Sequence, residues 1–377
     1  MIEVAEKPRV LLGMSGGVDS SVAAYLLREQ GWDVVGVTMK VWPQDCISRA
    51  EDKCCGPQAV ADARGVAHAL GIPHYVVDEA AEFEKVVIDY FSSEYRQGRT
   101  PNPCVMCNEK LKFGRLQQKA LALGATHVAT GHYAQIVHGP EKSVLKRSRD
   151  ARKDQSYFLF SLRQDQLRRS LTPVGHLEKP EVRAIAQKLG LKVYDKEDSQ
   201  EICFVPGNDY AGFLKSHLGE GAFHPGGIYH RDGTRLGDHE GIEFYTVGQR
   251  KGLPGGQGKP LYVLDIDPAG SRVIVGDADD LVRADCRIAN ANWNEELDLG
   301  ASREITVKIR YNWPAVPARV EGVEGPGHRA RIVFAEPQRS VTPGQAAVCY
   351  VGDEVLGGGW IEREAAPVAP AAPAVAA

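Results

Sequence analysis

The sequence predicts an α/β protein: an N-terminal doubly wound parallel sheet, then a small central domain, then a C-terminal β-barrel. In the first half, short apolar runs alternate with segments of helical periodicity, which is typical of parallel strands joined by helices. After about residue 206, glycine and proline become frequent and short strands separated by turn signals take over. With 377 residues and 43% hydrophobic content, two or three domains are expected. The expected segments are 1–205, 206–278 and 279–363, followed by a disordered Ala/Pro tail at 364–377.

The elements of the first half follow from this periodicity. Short apolar runs predict strands at 9–12, 33–39, 74–77 and 127–130. Apolar positions at helical spacing predict helices at 20–30, 59–70, 80–96, 108–123 and 180–189. Gly31, Gly71 and Gly124 stand where three of these helices should end. Strands joined in this way imply a parallel sheet with helices on both faces.

The second half reads as an all-β region. Residues 261–267, the turn Pro-Ala-Gly and residues 271–275 predict a hairpin. Alternating apolar and polar residues then predict the strands of a small barrel, at 305–310, 318–320, 330–334, 346–351 and 355–360.

Composition and charge exclude some classes of protein. The sequence contains no run of about 18 apolar residues that could span a membrane. The first strand is expected so early that no signal peptide fits before it. We therefore expect a cytoplasmic protein. The net charge of −4 argues against a uniformly basic nucleic-acid binder. Between Lys142 and Arg169, however, nine Lys/Arg residues stand against three Asp residues, so this stretch could bind phosphates or could be a solvated charged surface.

The segment GMSGGVDSS at 13–21 is the strongest motif for a ligand. It lies between a predicted strand and a predicted helix, where glycines let the backbone approach phosphate oxygens and the helix start offers free N–H groups. Asp19 could orient a magnesium ion or a hydrogen-bond donor. The Gly-Lys-Ser/Thr ending of a P-loop is absent. Ser-Gly-Gly-x-Asp-Ser instead resembles the pyrophosphate-loop motif of ATP pyrophosphatases, enzymes that adenylate an oxygen atom and release pyrophosphate.

The predicted ATP site extends beyond this loop. Met39 and Gly131 follow or end neighbouring strands, at the carboxyl edge where sheets of this type bind ligands. The residues assigned to ATP are Gly13, Met14, Ser15, Gly16, Gly17, Val18, Asp19, Ser20, Met39 and Gly131.

The cysteines indicate a second reactive element. The chain has eight of them, and in a reducing compartment such a set is more often catalytic or metal-binding than disulfide-bonded. Cys104 and Cys107 form a C-x-x-C pair in a proline-rich turn before a helix, whose dipole, together with Lys110 and Lys112, favours a thiolate at Cys107. That thiolate could be a nucleophile or a metal ligand. The other cysteines stand at 46, 54, 55, 203, 286 and 349, and the last two are expected to be buried core residues.

Taken together, the motifs resemble the tRNA-specific 2-thiouridylase family, within the pyrophosphate-loop ATP pyrophosphatases. They occur in the family's order over residues 9–363: SGGVDSS, TPNPC-x-x-C-N-x-x-x-KF, ATGHYA, KDQSYFL, C-F-x-P-G and GGGWIE. The resemblance implies a sulfurtransferase that uses ATP to adenylate C2 of the wobble uridine of tRNA and then inserts sulfur. It also implies lysine, glutamate and glutamine tRNAs as partners, with a cysteine desulfurase or a relay protein as sulfur donor. A monomer is expected.

The resemblance also assigns roles by position. Cys203 matches the persulfide carrier, and Cys107 matches the thiol that releases its sulfur or closes a transient disulfide with it. Asn102, Pro103 and Cys104 match the residues that touch the target base, which must be splayed from its stack. The positions that match tRNA contacts are His132, Lys153, Asp154, Gln155, Arg310, Tyr311 and Gln345.

One position departs from the family pattern. Many members carry Asp where this chain has Cys104, and a thiol does not replace a carboxylate as an acid or base on equal terms. Cys104, Cys107 and Cys203 could instead hold a 4Fe-4S cluster, and a structural zinc site is a third possibility. The persulfide route needs no cluster.

Two other functions compete with this one. The first is an amidating ligase with the same pyrophosphate loop, of the argininosuccinate or GMP synthetase type, which would need no paired cysteines. The second is a non-catalytic protein that binds tRNA or senses nucleotides. The thiols argue against the ligase, and an intact loop with Asp19 beside both thiols argues against the non-catalytic protein.

Overall fold

The structure is a computed structural model, and it describes residues 7–41, 56–198, 202–254, 259–295, 302–322 and 328–364. Cys46, Cys54, Cys55 and the predicted tail from residue 365 onward lie outside the described residues. The chain divides into two compact units. Unit 1 comprises residues 1–88, 103–207 and 353–355, and unit 2 comprises residues 89–102, 208–352 and 356–377.

Unit 1 is built on a five-stranded parallel sheet. Its strands are β1 (Arg9–Gly13), β2 (Asp33–Lys40), β3 (His74–Asp78), β4 (His127–Ala129) and β7 (Ser170–Leu171). They lie in the order β3-β2-β1-β4-β7, and each pair is parallel. The strands β2 and β3 lie on one side of β1, and the later strands β4 and β7 lie on its other side. Ligands of such sheets typically bind where the strand order reverses in this way, at the carboxyl ends of β1 and β4. The predicted fold class is confirmed.

The helices of the first half match the periodicity, with local departures. They are α1 (Val18–Glu29), α2 (Pro57–Ala69), α3 (Ala80–Phe83), α4 (Asp89–Arg96), α5 (Pro103–Met106), α6 (Leu116–Ala122), α7 (Gln164–Leu167) and α8 (Lys179–Lys188). Two predicted helices contain π-helical turns, at Glu84–Ile88 and Cys107–Arg115. Apolar side chains of α1, α2 and α8 pack with β1 and β2 into one core that includes Leu12, Val22 and Val182. A hairpin, β5 (Ala134–His138) with β6 (Ser143–Arg147), occupies part of the basic stretch and was not predicted.

Unit 2 contains two β structures and the helices α4 and α9 (Tyr210–Leu218). The first is a four-stranded sheet of β8 (Gly226–His230), β9 (Arg235–His239), β10 (Tyr262–Asp267) and β11 (Arg272–Gly276), in the order β10-β11-β8-β9. The predicted hairpin is β10 with β11. A short core that includes Ile228, Val263 and Val273 covers one face of this sheet.

The second β structure of unit 2 is a closed six-stranded barrel. Its strands are β12 (Val282–Trp293), β13 (Arg303–Lys308), β14 (Val316–Gly322), β15 (Ala330–Arg339), β16 (Ala346–Val351) and β17 (Glu354–Ile361). They lie in the order β12-β15-β14-β13-β16-β17, and β12 closes the barrel by also pairing with β17. Sequence periodicity missed β12, because two register shifts interrupt its alternation so that one strand can pair with two neighbours.

The predicted core cysteines lie inside this barrel. Cys286 and Cys349 are 2% and 0% exposed, and they pack among the aliphatic side chains of the barrel core. Burial raises the pKa of the Cys349 thiol to about 12 and that of Cys286 still further, so both remain protonated thiols.

Candidate active site

The nucleotide loop joins β1 to α1 within a single tight turn. Gly16 has a φ of +69°, and a Cβ at that position would lie 2.2 Å from the Ala59 carbonyl oxygen, so only glycine fits. Gly17 is extended and starts the helix. The Ser21 hydroxyl donates to the Gly17 carbonyl at 2.8 Å, and the Ser15 N–H donates to Ser20 Oγ at 3.3 Å. The start of α1 thus follows the loop directly, at the place where the motif predicts that an anion binds.

The neighbouring strand ends hold the loop in place. The Met14 N–H donates to the Val37 carbonyl at 2.8 Å, and Thr38 Oγ1 donates back to the Met14 carbonyl at 2.8 Å. Gly131 follows β4, and a Cβ there would lie 2.6 Å from the Ser20 nitrogen, in the first turn of α1. Gly131 therefore lies against the start of the helix. Met39, the other predicted residue outside the loop, lies near the end of β2.

Asp19 is the centre of a charged cluster that the motif alone does not reveal. Lys179 Nζ donates to Asp19 Oδ1 at 2.7 Å and to Asp19 Oδ2 at 2.9 Å. The Tyr133 hydroxyl donates to Asp19 Oδ1 at 2.8 Å. Burial and then the adjacent Asp19 carboxylate raise the pKa of Tyr133 well above its ordinary value, so its hydroxyl keeps the proton that it donates.

The cluster continues from Lys179 to the predicted tRNA residue Lys153. Lys179 Nζ lies 2.6 Å from Asp198 Oδ1, and Lys153 Nζ lies 2.6 Å from Asp198 Oδ2. Burial alone would raise the pKa of Asp198, but hydrogen bonds from Lys153 and Lys179 hold it below its ordinary value. Asp198 is therefore ionised at neutral pH and shared by two lysines.

A further lysine contacts the loop itself. Lys196 Nζ donates to the Gly16 carbonyl at 3.1 Å and to Asp62 Oδ2 at 2.7 Å. Sequence reasoning missed Lys179, Lys196 and Tyr133, because their motifs carry no nucleotide signature. One signal was available for Lys179: it is the first residue of α8, where the helix dipole disfavours a cation.

Three predicted tRNA residues make internal contacts in unit 1. Asp154 accepts from the N–H groups of Ser148 and Ser156, at 3.2 and 3.1 Å, and orders that turn. The Gln155 side-chain oxygen accepts from the Tyr133 N–H at 2.9 Å, so it braces the segment that holds the Asp19 partner. His132 is 8% exposed, and its Nδ1 lies 2.7 Å from Thr130 Oγ1.

Cys107 opens an unusual helical segment. Its π-helical turns, at Cys107–Arg115, change the spacing of the backbone hydrogen bonds, and the Gln166 amide donates to the Glu109 and Phe113 carbonyls at 3.1 and 3.0 Å. π-helical turns occur frequently at functional sites. The predicted helix over 108–123 is present, but its first part is π-helical, and the distant Gln166 supports the altered backbone there.

The three predicted site cysteines lie in unit 1, are half-buried and carry no disulfide. Cys104 lies in α5, and Cys203 lies in a turn closed by the Val205 N–H and the Ile202 carbonyl. The adjacent Phe204 is 1% exposed and contacts Phe83, with 5.7 Å between the ring centroids. This buried phenylalanine anchors the Cys203 turn.

The iron–sulfur and zinc hypotheses both take Cys104, Cys107 and Cys203 as the metal ligands. In the part of the chain that the structure describes, no three His, Cys, Asp or Glu side chains lie close enough together to hold a metal ion. Cys104, Cys107 and Cys203 all belong to that part, and the structure shows no metal-ion site formed by these three cysteines. Likewise, no helix in the described part of the chain is long and apolar enough to cross a membrane.

The remaining predicted residues belong to unit 2, apart from Pro103 in α5. The Gln345 amide donates to the Thr100 and Pro101 carbonyls at 3.0 and 3.1 Å, so it orders the segment that leads to Asn102. Arg310 donates to the Ser340 carbonyl at 2.9 Å. Lys308 Nζ lies 5.4 Å from the ring centroid of Tyr311, the neighbour of Arg310.

Comparisons with known proteins agree with the motif order. Family models match three successive segments: the tRNA methyl transferase HUP domain at 8–207, the tRNA methyl transferase PRC-barrel domain at 211–277, and the aminomethyltransferase beta-barrel domain at 283–361.

Three curated relatives illustrate how far the similarity extends along the chain. A protein named tRNA-specific 2-thiouridylase MnmA 2, from Clostridium tetani, is 46% identical over 94% of this chain and 99% of its own length. The relatives named tRNA-specific 2-thiouridylase MnmA from Carboxydothermus hydrogenoformans and Heliobacterium modesticaldum are 48% and 49% identical, over 96% and 95% of this chain and 100% and 93% of their own lengths. The resemblance predicted from the motifs is confirmed: this chain belongs to the tRNA-specific 2-thiouridylase family.

Proposed function

We propose that this protein is a tRNA-specific 2-thiouridylase, a sulfurtransferase that uses ATP to replace the C2 oxygen of the wobble uridine in tRNA with sulfur. The observation that carries the proposal is the 46–49% identity to relatives of that name along nearly the whole chain. The geometry of the nucleotide loop and the presence of both thiols in the same unit support it.

The first step is adenylation of the uracil. The uracil O2 atom attacks the α-phosphorus of ATP, the α–β anhydride bond breaks, and pyrophosphate leaves. The turn at Gly16 and Gly17 and the start of α1 offer N–H groups to the departing phosphates. Asp19 is the carboxylate that would hold a magnesium ion, which neutralises phosphate charge when bound. Both Asp19 oxygens already accept hydrogen bonds, so such binding would replace one of them.

The second step delivers sulfur to the activated carbon. Cys203 carries a persulfide, Sγ–SH, whose terminal sulfur attacks C2, and AMP leaves with the former O2. The Cys107 thiolate then attacks Cys203 Sγ, which releases 2-thiouridine and leaves a Cys107–Cys203 disulfide. An external dithiol reduces that disulfide before the next cycle. In an alternative order of the same steps, the Cys107 thiolate first attacks Cys203 Sγ and liberates hydrosulfide. The hydrosulfide then attacks C2, AMP leaves, and the same Cys107–Cys203 disulfide remains.

Lys153 is the residue of unit 1 that we assign to a tRNA phosphate. Lys153 is 37% exposed at its side chain, and it can exchange its Asp198 partner for a phosphate. The other assigned residues include three that order backbone segments, in addition to any direct contact with tRNA: Asp154, Gln155 and Gln345. We further propose lysine, glutamate and glutamine tRNAs as substrates, a cysteine desulfurase or relay carrier as sulfur donor, a monomeric enzyme and a cytoplasmic location.

The experiment separates the two chemical steps in enzyme purified without oxygen. Unmodified tRNA, ATP and a persulfide-generating desulfurase are supplied, while pyrophosphate release and 2-thiouridine are both measured. Cys203→Ser and Cys107→Ser should keep pyrophosphate release within about twofold and lose 2-thiouridine by at least about a hundredfold, since neither thiol takes part in adenylation.

The outcomes that contradict the proposal are specific. If the unsubstituted enzyme forms no 2-thiouridine, the proposed function is wrong. If Cys203→Ser retains thiolation with the desulfurase present, Cys203 is not the carrier. Iron content measured on the same preparation tests the cluster hypothesis: about four irons per chain, lost in Cys104→Ala together with activity, would contradict the iron-free route.

A further inference from the structure

Lys179 occupies a place where a lysine is costly. Its side chain is 9% exposed, and an ammonium group is buried only when hydrogen-bonded partners compensate for the lost water. It is also the first residue of α8, at the positive end of the helix dipole. Three short contacts to two carboxylates, Asp19 and Asp198, compensate for both costs.

These contacts form a continuous charged chain. In order, its members are the nucleotide-loop carboxylate Asp19, the buried Lys179, the shared carboxylate Asp198 and the exposed Lys153. Every neighbouring pair lies within 2.7 Å, and all four residues belong to unit 1. We call these four residues the relay. One end touches the nucleotide loop, and the other is the predicted tRNA contact.

We propose that Lys179 is a positioning residue through which the relay couples tRNA binding to ATP binding. The proposal rests on the proposed function, because it needs Lys153 to meet a tRNA phosphate. When Lys153 turns to that phosphate, Asp198 loses one of its two lysine partners and attracts Lys179 more strongly. Lys179 then holds Asp19 less tightly, and the Asp19 carboxylate becomes available to the magnesium ion that accompanies ATP. ATP therefore binds more tightly to the tRNA-bound enzyme, and tRNA binds more tightly to the ATP-bound enzyme by the same factor.

Other charged groups lie near the relay and could also affect ATP affinity. The test must therefore compare ATP affinity with and without tRNA. Arg183 lies 3.9 Å from Asp198. Lys196 belongs to the same chain segment as Asp198 and contacts the Gly16 carbonyl. Each of these groups could shift ATP affinity by its charge alone. Such a field effect is the same with and without tRNA, whereas the relay acts only when tRNA engages Lys153.

The test is the dissociation constant of a non-hydrolysable ATP analogue, measured with magnesium in the presence and absence of unmodified tRNA. In the unsubstituted enzyme, tRNA should lower this constant by about five- to tenfold, within the usual range of coupling between sites. In Lys179→Met and in Asp198→Asn, the ratio should fall to within about twofold of one. The matched control Lys188→Met removes an exposed lysine from the same helix and should keep the full ratio.

Several results would overturn the inference. A ratio of one in the unsubstituted enzyme that binds tRNA and forms 2-thiouridine removes the coupling while leaving the function intact. A ratio that persists in both Lys179→Met and Asp198→Asn assigns the coupling to other residues. If Lys179→Met does not fold, as judged by its thermal melting, Asp198→Asn decides alone, since Asp198 is 23% exposed at its side chain. Failure of the unsubstituted enzyme to bind tRNA would instead contradict the proposed function.

Discussion

Replacement of Gly131 by alanine tests whether the close approach of the β4 end to α1 is required. A Cβ at this position would lie 2.6 Å from the Ser20 nitrogen and 2.8 Å from the Asp19 carbonyl carbon. Both are backbone atoms of the first turn of α1, so they cannot rotate away as a flexible side chain could. Either the helix start or the segment after β4 must shift, and both belong to the predicted ATP site.

The magnitude follows from two opposing effects. Overpacking costs about 1–3 kcal/mol, and backbone contacts below 3.0 Å place this site in the upper part of that range. Alanine also restricts the unfolded chain, which stabilises the protein by about 0.4–1 kcal/mol. We therefore expect Gly131→Ala to lower the free energy of unfolding by about 1–2 kcal/mol. Because the shift displaces the helix start, we expect ATP affinity to fall by about tenfold or more.

Urea unfolding followed by circular dichroism and calorimetric titration with ATP measure these two effects. Gly65→Ala is the matched control, because Gly65 lies on the exposed face of α2 and a Cβ there has no neighbour within 4 Å. That variant should gain about 0.5–1 kcal/mol from helix propensity and bind ATP normally. A Gly131→Ala protein that is as stable as the parent and binds ATP equally well would refute the close-packing argument.

Three further predictions concern the helix, the histidine and the departure from the family pattern. Gln166→Ala should lower the free energy of unfolding by about 1–3 kcal/mol in urea titrations, because the Glu109 and Phe113 carbonyls lose a buried donor; an effect below about 0.5 kcal/mol would contradict that role. Burial, and then a nearby lysine, hold the pKa of His132 well below 6.5, so the unfolded chain binds more protons and stability should fall as pH drops below about 6.5. His132→Asn should remove up to about 1.4 kcal/mol per pH unit of that slope, and an unchanged slope would contradict it. Cys104→Asp, assayed for 2-thiouridine formation, should retain or increase activity because it restores the family carboxylate, and a loss of more than about tenfold would contradict an acid–base role for a carboxylate at this position.

Much of the fold could be predicted because its signals are local. The apolar runs and the glycines that end helices placed the first four strands of the parallel sheet, and alternation placed most of the barrel. The strand β12 was missed, since its pairing with two neighbours interrupts the alternation. The π-helical turns at Cys107–Arg115 were also missed, because they depend on Gln166, which lies more than fifty residues away in the sequence.

In the candidate site, too, local features could be predicted from the sequence and long-range contacts could not. Gly16 could be predicted because the turn itself requires a positive φ, and the family motifs identified both thiols. The partners of Asp19 could not be predicted, since Lys179 is 160 residues away and no local pattern marks a buried lysine as a counter-ion. The motifs predict which groups should meet the substrate, whereas only the fold shows which charges contact those groups.

The most direct test of the central claim is to map sulfur on the tRNA by mass spectrometry of nuclease digests. Unmodified tRNA is incubated with the enzyme and a persulfide source, once with ATP and once without it. We expect up to one sulfur per tRNA, at C2 of the wobble uridine, and only with ATP. Sulfur at another nucleotide, sulfur incorporation without ATP, or none under either condition would contradict the assignment.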